Sequence, residues 1–280
     1  MKTCVILEGG GLRGIYSAGV LDEMIKDNPK IHTMIGVSMG ALVGVNYLSN
    51  QPQRALRYNL KYCHHPKYMS LLSLLFTGNI ANKEFAYYKI PNQLDKFDNK
   101  TYKKSKIKFY ATLTNIETGE AEYFPIKDAK KEIEILRASS SMPGVSKVVK
   151  IKRKKYLDGG IADSIPLQKA LNEKFDRIVL ILTRELSYEK KQKIPRFLKI
   201  KYRKYPNLLD ALEKRAAKYN ETLKQIKKLE KEKKIFVIRP SEKLKINRIE
   251  HKRKRIQAQY DLGVKDYLSK TKSLLKYLNK

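Results

Sequence analysis

The chain has 280 residues, with 60 Lys and Arg against 28 Asp and Glu, a formal charge of +32, and two cysteines. That length suits one large α/β domain with a helical appendage, and no run approaches the ~20 apolar residues of a membrane-spanning helix. Cys4 and Cys63 are too few for a disulfide framework, and the histidines show no metal-ligand spacing beyond the adjacent pair His64-His65, which reads as a surface pair.

Lys2–Leu7 is short, β-branched and apolar, the pattern of a buried strand. It lacks the charged, apolar and small-residue phases of a secretory signal, so the cytoplasm is the expected location, with peripheral membrane contact left open. The glycine run Gly9-Gly10-Gly11 follows, and Ile15, Ala18, Leu21 and Met24-Ile25 then recur at helical spacing. Thr33–Val37 reads as a second strand and the almost wholly apolar Met39–Leu48 as a buried helix. Strand, helix and strand in this order seed a parallel sheet.

Pro52–Asn99 reads as mostly helical but irregular, with an apolar patch at Tyr68–Phe76. Ile107–Thr114 and Glu120–Pro125 alternate as strands about a turn at Asn115–Gly119. Ile133–Ser140 predicts a short helix ending at Met142-Pro143-Gly144. Val145–Ile151 and Lys155–Leu157 predict strands around a basic turn, Pro166 opens another helix, and Arg177–Thr183 predicts a central strand. Beyond Glu185 the composition turns basic. Glu189–Lys204 reads as a loop or surface extension, Leu208–Lys234 and Ile256–Leu278 as amphipathic helices, and Ile235–Ile238 as a last strand. The expected organisation is a core over 1–185 and a basic, mainly helical part over 186–280 packing on it.

Gly9-Gly10-Gly11-Leu12-Arg13-Gly14 fits Gly-x-Gly-x-x-Gly after a strand and before a helix, as in a dinucleotide-binding loop. A Rossmann reading then requires an acid at the end of the second strand. That strand ends Gly36-Val37-Ser38, with a serine where the carboxylate belongs. The same loop has a second use: its backbone N–H groups and the helix start behind them suit an oxyanion, with Arg13 as reinforcement.

Gly36-Val37-Ser38-Met39-Gly40 is Gly-x-Ser-x-Gly between a β-branched strand and an apolar helix, the setting of a nucleophile elbow. An elbow serine needs a proton acceptor. His251 sits in the run His251-Lys252-Arg253-Lys254-Arg255, where the surrounding charge makes it a poor base. Asp158 ends the strand Lys155-Tyr156-Leu157 and precedes Gly159-Gly160, which places a carboxylate at the sheet's active edge. Asp-Gly-Gly on its own is also a common turn, and Asp163 reads as a cap before Pro166.

Taken in order, Gly-Gly-Gly-Leu-Arg-Gly, Gly-Val-Ser-Met-Gly and Asp-Gly-Gly resemble the patatin-like phospholipases. The block Arg137-Ala138-Ser139-Ser140-Ser141-Met142-Pro143 is similar too, over roughly residues 1–185. The resemblance implies a three-layer α/β sandwich with a mainly parallel central sheet, extended here by C-terminal helices. It implies a Ser–Asp dyad without histidine: Ser38 as nucleophile, Asp158 as base, and an oxyanion hole from the backbone N–H groups of Gly10, Gly11 and Met39. The implied substrate is a lipid or other acyl ester, and no metal or organic cofactor is needed.

The charge favours polyanions, including an anionic membrane met through Lys147–Lys155 and Glu189–Lys204; a lysine-rich composition without a partner accounts for the same total. Tyr68–Phe76 is expected in the core rather than at the acyl pocket or in a lid. Two alternatives stand beside the lipid hydrolase. One is a soluble carboxylesterase or thioesterase on the same dyad. The other is a non-catalytic basic module, for which nucleic acid is a weak candidate because no nucleic-acid motif is present.

Overall fold

A computed structural model describes residues 1–191, 193–243 and 245–279. Ten α-helices and an eight-stranded sheet lie among them. The strands are β1 (Thr3–Leu7), β2 (Thr33–Val37), β3 (Lys108–Asn115), β4 (Ala121–Pro125), β5 (Val149–Ile151), β6 (Lys154–Asp158), β7 (Arg177–Ile181) and β8 (Phe236–Ile238). They pair in the succession β5-β6-β3-β2-β1-β7-β8, with β4 also on β3. The β3-β2-β1-β7-β8 run is parallel, and β4, β5 and β6 pair antiparallel.

Every residue of β1 and β2 is buried, as expected for parallel strands covered on both faces. Alternate side chains of one strand go to opposite cores. Val5 and Leu7 of β1 and Val179 and Ile181 of β7 pack under α1 (Ile15–Asp27), α2 (Met39–Leu48) and α10 (Arg253–Asn279). Cys4, Ile6, Ile178 and Leu180 pack under α7 (Leu167–Asn172) and α9 (Pro206–Lys231). The result is helix layers on both faces of a mostly parallel sheet. The chain after residue 185 belongs to both layers and adds β8 to the sheet.

The irregular stretch after α2 contains α3 (Arg54–Tyr62), α4 (Leu71–Thr77), a π-helix over Glu84–Leu94 that holds Pro91, and α5 (Asn99–Lys104). α6 (Ile133–Ser139) precedes β5. The basic segment Glu189–Lys204 is not wholly a loop: α8 (Arg196–Lys201) forms within it, anchored by buried Leu198, while Gln192 lies outside the described residues. The apolar patch also departs from expectation over Leu71–Phe76, while Tyr68 is buried as expected. Leu71, Leu72, Leu75 and Phe76 are exposed, at 78%, 55%, 77% and 80%. Ser73 takes the buried side of α4, because Ser73 donates to the Asn79 carbonyl and so ties the helix down by its hydroxyl. No helix of the described residues is long and apolar enough to cross a membrane.

Candidate active site

The register of β3 brings the two halves of the site together. β2 runs along one edge of β3 as far as Val37, opposite Thr112. β6 runs antiparallel to β3 and ends with Asp158 opposite Leu113. Since β4 takes up the other edge over Tyr110–Thr114, β2 and β6 share one edge and meet end to end. Their ends deliver Ser38 and Asp158, both buried, and Ser38 Oγ donates to Asp158 Oδ2 at 2.6 Å.

Ser38 sits at φ 54°, ψ −122°, a conformation that costs a side-chain-bearing residue about 1–3 kcal/mol. The turn is tight enough to demand glycine on both sides. A Cβ on Gly36 would lie 2.6 Å from the Ala41 Cα, and one on Gly40 2.5 Å from the Leu7 carbonyl oxygen. Gly14 meets the same limit against Met39, at 2.7 Å from its Cγ. Ser139, fully buried at the end of α6, holds the elbow: its Oγ accepts from the Ser38 N–H at 3.0 Å and donates to the Thr112 carbonyl at 2.8 Å. The same segment grips the other partner, since the Asp158 and Gly159 N–H groups donate to the Ser141 and Ser139 carbonyls. Gly159 leaves no room for a side chain, a Cβ there falling 2.1 Å from the Thr112 carbonyl oxygen. Sequence reasoning placed Ser139 only in a block of residues; its signal was proximity to the aspartate, and its contact with the elbow is tertiary.

In the glycine loop, the N–H groups of Glu8, Gly9 and Leu12 donate to Ile181, Ser164 and Arg248 carbonyls. Those of Gly10, Gly11 and Met39 have no protein acceptor among the described residues. Gly9 packs against the elbow, a Cβ on it falling 3.1 Å from Ser38 Cβ. Gly11, at φ +59°, lets the loop pass beneath Arg248. Arg13 is partly buried, and its Nε has no partner among the described residues.

Burial pushes the Asp158 carboxyl above the usual carboxylate range, and the Ser38 hydroxyl, Arg215, the Gly160 N–H and Arg248 pull it back. Asp158 Oδ1 accepts from the Gly160 N–H at 2.8 Å, and Arg215 Nε donates to the Gly160 carbonyl at 2.5 Å. Arg215 and Arg248 lie beyond residue 185, in α9 and before α10. Arg13 and Lys190 stand beside Glu8, and Arg215 and Arg248 act on both Asp158 and Lys190. Burial and neighbouring guanidiniums lower Arg13 to about 10, and burial with Arg215 lowers Lys190 well below the ordinary lysine value. No local pattern marks these cations among so many basic residues.

A pH prediction follows. Were Asp158 to act as a base it would have to be ionised, and activity would be expected to fall as pH drops through its raised pKa. Removing the Arg215 charge raises that pKa further. In Arg215→Gln the acid limb of kcat/KM is expected to move to higher pH, while Arg215→Lys keeps it near wild type. A limb that stays in place in Arg215→Gln shows that Arg215 serves structure alone.

From Ser38 a cavity of about 150 Å³ runs under α2 and the π-helix, lined by Met39, Leu42, Val45, Ile90, Phe97 and Leu136 among others. Buried Arg54 also lines it, held by Asn46 and Asp95. Three of the four histidines are engaged elsewhere, and His64 is exposed. His251 Nδ1 bonds the Cys63 carbonyl, His32 Nδ1 accepts from the Thr3 N–H, and His65 stacks on Phe85. Asp163 accepts from Tyr123 and from the Ile165 N–H ahead of Pro166.

A family model described as "Patatin-like phospholipase" matches residues 5–171. A second, described as a domain of unknown function (DUF6363), matches residues 205–279, the stretch of α9, β8 and α10. The chain is 30% identical over 193 residues to the uncharacterized protein YjjU of Escherichia coli K12, an alignment covering 65% of this chain and 52% of that protein. The chain thus spans about half the length of that curated relative. Among solved structures it is similar to VipD from Legionella pneumophila, with a TM-score of 0.46 and 13% identity, over 99% of this chain and 66% of the other.

Proposed function

The chain belongs to the patatin-like phospholipase family, and from that premise we propose that it is a lipid acyl hydrolase working through Ser38 and Asp158 alone. The observation that carries the reading is the 2.6 Å hydrogen bond from Ser38 Oγ to a buried carboxylate, at a strained elbow opening on an apolar cavity.

In this reading Ser38 Oγ attacks the acyl carbonyl carbon while its proton passes to Asp158 Oδ2. The carbonyl oxygen takes the negative charge and is received by the N–H groups of Gly10, Gly11 and Met39. Losing one such donor typically costs about 3–4 kcal/mol of barrier. Collapse of the tetrahedral intermediate breaks the ester C–O bond, and the leaving alcohol takes the proton back from Asp158. A water then gives its proton to Asp158 and attacks the acyl-Ser38 carbonyl; the bond to Ser38 Oγ breaks, Asp158 returns the proton to that oxygen, and the fatty acid is released. The cavity holds the acyl chain, and Arg215 and Arg248 oppose the upward pull of burial on the Asp158 carboxyl.

The test is hydrolysis of soluble p-nitrophenyl esters of increasing chain length, with dispersed lysophospholipid beside them. The reading expects turnover to rise from butyrate to decanoate, and the lysophospholipid to be cleaved. In Val45→Phe, which fills the cavity behind Ser38, the optimum is expected to move to shorter chains, with kcat/KM for decanoate down about tenfold and butyrate unchanged. Brisk cleavage of butyrate alone, with lipid untouched, selects a small-ester esterase instead.

A further inference from the structure

α4 is built inside out. Its hydroxyl side faces the protein, and Leu71, Leu72, Leu75 and Phe76 face water. It is nonetheless well formed: Ser70 Oγ accepts from the Ser73 N–H, and Gly78 closes the last turn in the left-handed region. α8 shows the same habit. Leu198 is buried, while Phe197 and Ile200 are 55% and 68% exposed. A soluble surface rarely concentrates six large apolar side chains on two short helices without a partner.

The two helices flank one loop, Met142–Lys147. On one side the Ile80 N–H donates to the Val145 carbonyl and the Lys147 N–H to Asn79 Oδ1. On the other, Gly144 packs against Phe197 and Leu198, and its N–H donates to the Tyr202 hydroxyl. This loop and both ends of α4 are also walls of the cavity, through Met69, Asn79, Ile80, Met142 and Ser146. The exposed apolar side chains therefore sit beside one wall of the cavity.

The charges select the partner. Residues 65–82, 142–155 and 191–206 together hold fourteen Lys and Arg and no Asp or Glu. Lys147 lies against Gly78 at the end of α4, and Lys201 Nζ donates to the Gly144 carbonyl between the helices. A protein interface of this kind would need an acidic, apolar partner surface; an anionic bilayer supplies both features at once, apolar chains beneath a negative surface.

We propose that α4 and α8 form one lipid-inserting face, seated on an anionic bilayer with Leu71, Leu75, Phe76, Phe197 and Ile200 below the headgroups and the flanking lysines among them. Its purpose rests on the acyl-hydrolase reading: seated so, the face brings a membrane lipid to the wall of the cavity that Ser38 opens on.

The experiment is vesicle flotation of the full chain carrying Ser38→Ala, so that binding is read without hydrolysis. The probes are vesicles of phosphatidylcholine alone and of phosphatidylcholine with phosphatidylglycerol. Flotation with the anionic vesicles, weakened by salt, is expected. Adding Leu75→Ser, Phe76→Ser and Ile200→Ser is expected to weaken it about tenfold or more, with Tm unchanged. In the Ser38 background these three changes are expected to leave butyrate hydrolysis intact while lowering cleavage of lipid in vesicles. Two results overturn the proposal: vesicle binding that is indifferent to the three changes, and a dimer in solution that they convert to monomer. Flotation without any ester hydrolysis overturns the proposed function and leaves the membrane face standing.

Discussion

Ester hydrolysis is expected to fall by at least about 10⁴-fold in both Ser38→Ala and Asp158→Asn, roughly 5.5 kcal/mol of barrier in each. With two groups sharing the proton, neither is able to substitute for the other. The double variant should therefore lose little more than either single one. Labelling by a fluorophosphonate, read beside circular dichroism, checks the chemistry: Ser38→Ala should not label and Asp158→Asn should label slowly. Labelling that persists in a folded Ser38→Ala protein would falsify the dyad.

The same pair makes a prediction about stability, and its sign comes from burial. The folded-state pKa of Asp158 is raised above its unfolded value. A carboxyl shifted that way contributes stability below its unfolded pKa, which is lost as pH rises through the folded one. At neutral pH the buried charge is thus a net cost, offset in part by Arg215 and Arg248. Asp158→Asn keeps an acceptor for the Gly160 N–H and removes the charge. Its Tm at neutral pH is expected to rise above wild type, and the gain to shrink as pH falls, as calorimetry at two pH values will read. Activity and stability are thus expected to oppose each other at this one carboxylate.

The second large effect lies far from the chemistry. Gly263→Val is expected to cost about 3 kcal/mol or more, a large part of the roughly 5–15 kcal/mol that holds a domain together. A Cβ on Gly263 of α10 would fall 2.1 Å from the Tyr16 carbonyl oxygen of α1, and one on Gly19 of α1 2.2 Å from the Tyr260 carbonyl oxygen of α10. The two helices thus touch backbone to backbone at a reciprocal glycine pair. Three tyrosines lock the crossing, Tyr16 to Asp266, Tyr260 to Asp22 and Tyr267 to Asp27. Neither backbone is free to retreat, because α1 is also fixed to the sheet by Ile15, Val20 and Leu21. The readout is the midpoint of thermal unfolding beside Leu268→Ser, a change at an exposed α10 position that should leave it unmoved. A Gly263→Val protein as stable as wild type shows that the crossing opens without cost.

Much of the fold was legible because it is written locally. Lys2–Leu7, Thr33–Val37 and Arg177–Thr183 declare themselves by β-branched runs; the structure keeps the second whole and trims the first by one residue and the third by two. The elbow was legible for the same reason: glycines two residues either side of Ser38 answer to contacts of 2.5–2.6 Å that only a missing side chain permits. α4 was misread because an apolar run carries no mark of which way it faces. Leu71–Phe76 looks like core by composition, and the buried hydroxyl of Ser73, bonded to Asn79, turned it outward.

What the sequence by itself determined is the sequence of local events: a strand, a glycine loop, an elbow serine, and a carboxylate at a strand end followed by two glycines. These depend on φ, on side-chain volume and on periodicity, all readable over a few residues. What only the tertiary structure decided is who meets whom. β2 and β6 are 120 residues apart at Ser38 and Asp158, and they meet because both pair with one edge of β3 from opposite ends. Arg215 and Arg248 join them because α9 packs on the turn at Gly160 and the segment before α10 passes over the glycine loop. Charge acts through space and not along the chain, so a sequence with 60 basic residues could not say which few would stand beside the buried aspartate.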